Sequence, residues 1–200
     1  MANEPETWRH VVFKYRGTLL ALPAASLALR GIPTRSSMAL GVPLALCGEA
    51  LRCWAVGYSG VTTRADHVTA QALTTAGPYA YVRNPLYVGN VITALGFTFA
   101  FTGGLDGVKR IAFAILGLGT MLGVYAAIVP LEERYLRETF GAAFDAYAQR
   151  VPRLIPRASA AQPQAGTYDR SVIASAETRT FITFAVMLAA LAVRARATAD

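Results

Sequence analysis

Long apolar runs separated by short basic segments are the feature that most limits how this chain can fold. Hydrophobic residues make up 54% of the 200 residues, charged residues only 16%, and the mean hydropathy is +0.38. This balance is not that of a water-soluble domain, and an apolar run of about 20 residues is long enough for a helix to cross a bilayer. The sequence therefore predicts an all-α fold, an integral membrane helical bundle.

Five apolar runs are candidates for membrane-spanning helices. They lie at residues 17–29, 38–58, 86–101, 111–129 and 181–193. The last run is short, and its helix spans the bilayer only if it extends upstream past Arg179. After the fourth run, from Leu131 to the residues before Val151, apolar side chains recur at intervals of three and four among charged ones. This pattern predicts an amphipathic helix at the membrane surface.

Lysine and arginine are distributed unevenly between the two sides of this five-span arrangement. With the N-terminus inside, twelve of them fall on the inner side and six on the outer side. Because positive residues are retained on the cytoplasmic side, the loop before the third span and the amphipathic segment are predicted to face the cytoplasm. The basic residues that give the net charge of +7 are placed to set topology, so no nucleic-acid partner is predicted.

Polar residues inside the second run have structural as well as functional interpretations. Glu49 and Arg52 lie three positions apart, either as an internal ion pair near the membrane edge or as part of a ligand cavity. Cys47 and Cys53 lack a metal-ligand spacing. Neither a disulfide nor a metal site is predicted.

Glycines in the fourth run could suggest a dinucleotide-binding loop. They stand at positions 117, 119 and 123, inside an apolar helix rather than after a strand. Small residues that let helices pack closely are the better explanation.

The chemistry is predicted at residues 77–87, GPYAYVRNPLY, which join the longest polar segment to an apolar helix. The first two residues are typical of a turn. Asn84-Pro85 is typical of a helix start, where asparagine caps free backbone amides and proline occupies the first helical position. Such a helix end carries a partial positive charge, and Arg83 adds a full one. The stretch therefore predicts a site for an anionic group such as a carboxylate or phosphate.

With a second stretch at residues 132–156, EERYLRETFGAAFDAYAQRVPRLIP, this motif resembles the membrane-embedded methyltransferases typified by isoprenylcysteine carboxyl methyltransferase and related to the phospholipid N-methyltransferases. The resemblance covers residues 71–156, with the two stretches in the same order around a hairpin of two spans. It implies S-adenosylmethionine in a cytoplasmic pocket closed by the C-terminal amphipathic helix. It also implies a bacterial-type member of the family, located in the inner (plasma) membrane.

The resemblance also divides the chain. An N-terminal transmembrane hairpin (1–60) precedes a methyltransferase core (61–157), and a linker with the C-terminal apolar helix follows (158–200).

The cofactor contacts of the family are carried over residue by residue. They fall on Gln71, Ala72, Leu73, Thr74, Tyr79, Arg83, Asn84, Pro85, Leu86, Tyr87 and Glu132. The resemblance implies that Glu132 neutralises the cofactor ammonium and that Arg83 and the helix start hold its carboxylate. Tyr79 and Tyr87 would face its adenine or sulfonium, although anchoring of a helix at the membrane interface is an alternative role for these rings.

Two positions, Asn84 and Ile128, depart from the family pattern. Asn84 stands where the family usually has histidine, so this side chain can donate a hydrogen bond but cannot titrate. Ile128 stands where the prenylcysteine enzymes have an arginine for their substrate, which argues against a carboxylate acceptor held in that manner.

The correspondence with the family selects Glu132, rather than its neighbour Glu133, as the residue that faces the cofactor pocket. A rotation of about 100° per residue then predicts that Glu133 meets solvent or a nearby arginine such as Arg137.

These observations lead to one function hypothesis and two alternatives. The first is S-adenosylmethionine-dependent methyl transfer to a lipophilic small molecule or a lipidated substrate at the cytoplasmic membrane face. The second is a non-catalytic membrane protein that keeps the fold, because of Asn84 and Ile128. The third is a nicotinamide-dependent lipid reductase of similar layout.

Overall fold

The computed structural model describes residues 7–60 and 72–198. Within these ranges the chain forms helices and no strand. They are α1 (Thr7–Arg30), α2 (Arg35–Ser59), a short 3₁₀-helix (Gly77–Ala80), α3 (Pro85–Thr102), α4 (Gly107–Ala114), α5 (Thr120–Phe140), α6 (Ala142–Arg150) and α7 (Ser171–Ala197). The predicted all-α fold is confirmed.

Four helical segments in the described part of the chain are long and apolar enough to cross a membrane. They are α2, α3, the continuous segment Gly107–Phe140 and α7. The predicted span at residues 17–29 lies in α1, which is not among the four, so a fifth span stays a prediction. The last apolar run is part of a helix of 27 residues because α7 extends upstream past Arg179, which gives it the length that a span requires.

The segment Gly107–Phe140 differs from the prediction in where it ends. A π-helical turn, Ile115–Gly119, joins α4 to α5, and α5 continues through Pro130 into residues that were predicted to begin a separate surface helix. Proline is tolerated in membrane helices because neighbouring groups can satisfy the freed carbonyl. The chain breaks instead at Gly141, whose φ of +51° suits glycine. The predicted amphipathic helix is therefore two pieces, the end of α5 and α6.

The chain divides into two compact units, each built from separated parts of the sequence. Unit 1 consists of Met1–Gly48, Val91–Ile128 and Thr180–Asp200, and unit 2 consists of Glu49–Asn90 and Val129–Arg179. The units cut across the three consecutive segments proposed from the sequence. All contacts of the site described below lie within unit 2.

Unit 1 has an apolar core around two phenylalanines of α3. The ring centroids of Phe97 and Phe101 are 6.4 Å apart. The buried residues that share this core are Leu27, Ala45, Ala100, Met187 and Leu191. The core thus draws on α1, α2, α3 and α7.

Close helix packing in unit 1 depends on Gly41 of α2 and Gly96 of α3. A Cβ atom on Gly41 would lie 2.4 Å from the carbonyl oxygen of Gly96, and one on Gly96 would lie 2.3 Å from the backbone nitrogen of Ala45. The glycines predicted to pack closely have more room. A Cβ atom on Gly117 would lie 3.9 Å from its nearest neighbour, and one on Gly123 would have no atom of the described residues within 4 Å. A small-residue pattern does not by itself show which helix faces its neighbour.

Replacing Gly96 by alanine should destabilise the protein, because the methyl group would overlap the backbone of α2 and force the two helices apart. Overpacking of this kind costs about 1 to 3 kcal/mol. We expect a lower midpoint of thermal unfolding in detergent for Gly96→Ala. Gly123→Ala is the control and should unfold at the wild-type temperature or above, since alanine favours a helix. Equal midpoints for the two variants would show that α2 and α3 do not cross this closely.

Candidate functional site

The two stretches at residues 77–87 and 132–156 meet around Glu133 of α5. The carboxylate of Glu133 accepts hydrogen bonds from Arg83 Nε at 2.9 Å and from Arg153 Nε and Nη2 at 3.0 and 2.6 Å. The side chain of Glu133 is 5% exposed and that of Arg83 12%, whereas that of Arg153 is 50% exposed. One buried carboxylate thus holds two guanidinium groups, and the three charges sum to +1. We call these three residues the Glu133 cluster.

Arg83 also bonds to the backbone of the second stretch. Its Nη1 donates to the carbonyl oxygens of Ala148 at 2.9 Å and Val151 at 2.6 Å. Its backbone amide donates to the carbonyl oxygen of Pro152 at 2.9 Å. A guanidinium bonded to a carboxylate and two carbonyls is held in one orientation, so Arg83 joins the two stretches.

Asn84 precedes α3, which begins at Pro85 as predicted. Its backbone carbonyl accepts the first hydrogen bonds of the helix. Its side-chain Nδ2 donates to the carbonyl oxygen of Arg153 at 3.0 Å and, more weakly, to Glu133 at 3.5 Å. The amide of Asn84 thus acts as a donor toward the second stretch, and its predicted role as a cap of the helix stays a prediction.

Glu132 and Glu133 have different partners. The carboxylate of Glu132 accepts a hydrogen bond of 2.7 Å from the hydroxyl of Tyr87, and the residue is half-buried. Of the two environments predicted for Glu133, solvent or a nearby arginine, the structure has the second: Glu133 is the buried member of the pair, and its arginine partners are Arg83 and Arg153. Arg137 pairs with Asp145 instead, at 2.8 Å. The helical rotation separates the two carboxylates, but it does not show which one turns inward.

Tyr79 lies in the 3₁₀-helix and is held at both its side chain and its backbone. Its hydroxyl is hydrogen-bonded to the side chain of Ser59, and its carbonyl oxygen accepts a bond of 2.9 Å from the hydroxyl of Tyr147. Loss of hydration raises the pKa of Tyr79 to about 12, and the nearby charge of Glu132 adds to the rise. Loss of hydration also raises the pKa of Tyr147. Both phenols therefore stay protonated further into the alkaline range than an ordinary tyrosine.

Leu73 and Thr74 lie close to these contacts. The hydroxyl of Thr74 donates to the carbonyl oxygen of Tyr58 at 3.4 Å. Leu73 packs against an apolar cluster of unit 2. The buried members of that cluster are Phe144, Tyr147, Val151 and Ala161. Leu73 is thus tied to the C-terminal part of the second stretch.

The other predicted cofactor residues differ in exposure. Pro85 is buried at the start of α3, Leu86 is half-buried and Ala72 is exposed. Gln71 lies outside the described residues. Of the predicted set, Arg83, Asn84, Tyr87 and Glu132 supply charged and hydrogen-bonding groups of the site, while Glu133 and Arg153 come from outside it.

Arg153 is a residue of the site that sequence reasoning missed. It stands in the quoted second stretch, directly after a proline that follows the end of α6. Twenty positions separate it from Glu133, so no helical spacing relates the two. An arginine at the turn after a helix was the available signal, and only the path of the chain brings it to the carboxylate.

The segment at residues 158–169, of which 158–168 were predicted as a linker, follows the first stretch closely, and we call it the strap. The backbone amide of Ala161 donates to the carbonyl oxygen of Ala80 at 2.9 Å. Thr75 and Ala165 exchange two bonds of 2.8 Å, one from the amide of Thr75 and one to its hydroxyl. The strap is therefore bonded to the residues on either side of the Gly77-Pro78 turn.

Arg52 forms a buried ion pair, as one of the two sequence interpretations predicted, but its closer partner is Glu177 of α7. Arg52 Nη2 lies 2.9 and 2.7 Å from the two carboxylate oxygens of Glu177, whereas its Nε lies 3.7 Å from Glu49. Arg52 also donates to Asn90 of α3. The beginning of α7 is thus bonded into unit 2.

The helical fold and the Glu133 cluster define an integral membrane protein with a charged site in unit 2. A family model described as phospholipid methyltransferase matches residues 36–143. This range is more than half of the chain and includes the first stretch with both glutamates. The chain belongs to this family. No solved structure matches it.

Several relatives of known name are similar to this chain. The cobalt-zinc-cadmium resistance protein CzcN of Cupriavidus metallidurans is 36% identical over 122 residues, 60% of this chain and 48% of the relative. Protein-S-isoprenylcysteine O-methyltransferase B of Arabidopsis thaliana is 31% identical over 123 residues, 58% of this chain and 57% of the relative. Protein-S-isoprenylcysteine O-methyltransferase of Schizosaccharomyces pombe is 34% identical over 118 residues, 56% and 46% respectively. The chain spans about half the length of the curated relatives it matches.

Removing the charge of Glu133 should destabilise the protein. Glu133→Gln leaves the mostly buried Arg83 without its carboxylate, and breaking a buried pair costs about 3 to 5 kcal/mol. We expect the lower end of this range, because Arg153 is half exposed. Denaturant unfolding in detergent measures the loss.

The exposed pair between Arg137 and Asp145 provides the matched control, since its distance of 2.8 Å is nearly the same. Asp145→Asn should cost only about 0.2 to 1 kcal/mol, as exposed ion pairs do. Similar losses from Glu133→Gln and Asp145→Asn would contradict the assignment of Glu133 as the buried centre of the site.

Proposed function

We propose that this chain is an S-adenosylmethionine-dependent methyltransferase that acts on a lipophilic acceptor at the membrane. Its family and the O-methyltransferase names of two of its relatives support the proposal. The observation that carries it is the pairing of opposite charges at the start of α3, where the Glu133 cluster has an excess of positive charge and Tyr87 holds Glu132.

The charged groups of unit 2 fit a zwitterionic amino acid moiety. The Glu133 cluster adds its net charge of +1 to the N-terminal end of α3, where free backbone amides also attract an anion. Tyr87, which holds the carboxylate of Glu132, lies in the first turn of the same helix. A group that attracts an anion and a group that attracts a cation therefore occur within one helical turn. A bound carboxylate and its neighbouring ammonium require this combination.

In the proposed site each charged residue has one role. Glu132 holds the ammonium of the cofactor, while Arg83 and Arg153 attract its carboxylate. S-adenosylmethionine, when bound, supplies a methyl group on a positively charged sulfur. Tyr79 and Tyr87 offer aromatic faces to a cation.

The remaining predicted cofactor contacts stay part of the proposal. They are Gln71, Ala72, Leu73, Thr74, Asn84, Pro85 and Leu86.

The acceptor is proposed to enter from the bilayer. Ile128 is fully buried at the position where the prenylcysteine enzymes have an arginine, so this residue offers no charge to a carboxylate acceptor. Asn84 cannot exchange a proton in the physiological range. Methyl transfer to an ionised acceptor needs positioning and exclusion of water rather than a general base. The substrate is therefore expected to bring its own nucleophile.

Glu132→Gln should weaken S-adenosylmethionine binding by at least about thirtyfold. Loss of a charged partner in a partly buried site costs about 2 to 5 kcal/mol, and 1.4 kcal/mol is tenfold in affinity. Glu133→Gln, studied below its unfolding temperature, should weaken binding less than about fivefold, because the positive excess at α3 remains. Titration calorimetry of detergent-purified protein measures both. Wild-type affinity in Glu132→Gln would contradict the role of this carboxylate.

The same titration separates the alternative functions. A methyltransferase should bind S-adenosylmethionine and its demethylated product, whereas a lipid reductase should bind NADPH. Binding without transfer to any extracted lipid would favour a non-catalytic member of the family. The described residues contain no group of three or more His, Cys, Asp or Glu that could hold a metal.

We also propose that the site faces the cytoplasm, in the inner membrane of a bacterium, because of the excess of lysine and arginine on that side. A reporter fused after Arg157 should behave as cytoplasmic, and one inserted at Gly104, between α3 and α4, should behave as external. Phosphatase and fluorescent-protein fusions measure the two positions. Reversal of both would place the site on the opposite face.

A further inference from the structure

Near the end of the strap, Tyr168 fills the space beside Gly57 of α2. A Cβ atom on Gly57 would lie 2.2 Å from Cε2 of Tyr168, so only glycine leaves room for the ring. The backbone amide of Asp169 donates to the carbonyl oxygen of Gly57 at 2.7 Å, which fixes the strap at the same residue. Tyr168 and Asp169 lie beyond residues 36–143, the part that matches the family model. The match with the family model therefore includes Gly57 but not its two partners in the strap.

Tyr58 connects the ring of Tyr168 to the first stretch. The centroids of the two rings are 5.4 Å apart and their planes are tilted by 56°, a favourable arrangement for an aromatic pair. Tyr58 also fills the space beside Gly77, where a Cβ atom would lie 2.2 Å from Cε2 of Tyr58. Gly77 has a φ of +59°, so the turn needs glycine for its backbone as well as for this contact.

Gly77 begins the 3₁₀-helix that carries Tyr79. The side chain of Tyr79 is bonded to Ser59, the residue after Tyr58. The last three residues of α2 thus contact the strap, the turn and the tyrosine in order. Because Ser59 is adjacent to Tyr58, a shift of Tyr58 would disturb both its own contact with Gly77 and the bond of Ser59 to Tyr79.

We propose that Tyr168 is a positioning residue, which holds the Gly77–Ala80 turn through Tyr58 and thereby sets the place of Tyr79. The effect on cofactor binding rests on the proposed function, whereas the support of the turn is a property of the protein alone. Because Tyr168 is 50% exposed, removal of its ring releases the turn without opening the core of unit 2.

Hydrogen exchange of the full chain in detergent, read by mass spectrometry, tests the support of the turn without any ligand. Tyr168→Ala should speed exchange of the amides of residues 75–82 at least about fivefold, since local opening governs their exchange. Tyr168→Phe keeps the ring and should match the wild type. Tyr15→Ala removes a tyrosine of nearly the same exposure, 51%, from α1 and is the matched control that should leave these amides unchanged.

Binding then separates positioning from a purely structural role. We expect Tyr168→Ala to raise the Kd for S-adenosylmethionine about fivefold, with Tyr168→Phe restoring it, while the thermal midpoint stays near that of the wild type. Unchanged exchange in Tyr168→Ala would overturn the proposal, as would faster exchange with unchanged affinity. A wild-type protein that does not bind S-adenosylmethionine would contradict the proposed function, and the exchange comparison would still decide whether Tyr168 holds the turn.

Discussion

The buried charge of Glu133 is the constraint on which the rest of the site depends. A carboxylate removed from water is tolerated only where opposite charges and hydrogen bonds replace its hydration. Its two arginine partners stand 50 positions before and 20 positions after it in the chain. Satisfying this one group therefore fixes the start of α3, the end of α5 and the turn after α6 with respect to one another. The bonds of Asn84 to Arg153 and of Tyr87 to Glu132 follow from that arrangement.

The roles proposed for the two adjacent glutamates separate stability from binding. Glu133 is shared by two arginines and contributes mainly to the structure of unit 2. Glu132, one position earlier, is half-buried beside a tyrosine hydroxyl, where a carboxylate can meet a ligand. The surplus positive charge of the cluster and the carboxylate of Glu132 lie at one end of α3. This division gives a physical reason for two consecutive glutamates in the second stretch.

Local features of the fold were predictable from the sequence, and tertiary ones were not. The start of α3 at Pro85 and the apolar spans follow from residue types and their spacing, because a helix is stabilised by neighbours in the chain. The burial of Glu133 rather than Glu132 depends on Arg153, which only the path after α6 brings close. The continuation of α5 through Pro130 likewise depends on tertiary structure, because neighbouring groups must satisfy the carbonyl that proline frees. The composition of the strap is typical of a linker. Its hydrogen bonds to the first stretch and to α2 are made by backbone amides, which carry no sequence signal, so the sequence does not reveal them.

The most direct test of the central claim is transfer of a radiolabelled methyl group from S-adenosylmethionine to extracted bacterial lipids and prenylated peptides by the purified protein. The proposed function predicts label in the lipophilic fraction that requires the folded protein and is lost in Glu132→Gln. A folded protein that neither binds S-adenosylmethionine nor transfers label to any of these acceptors would contradict it.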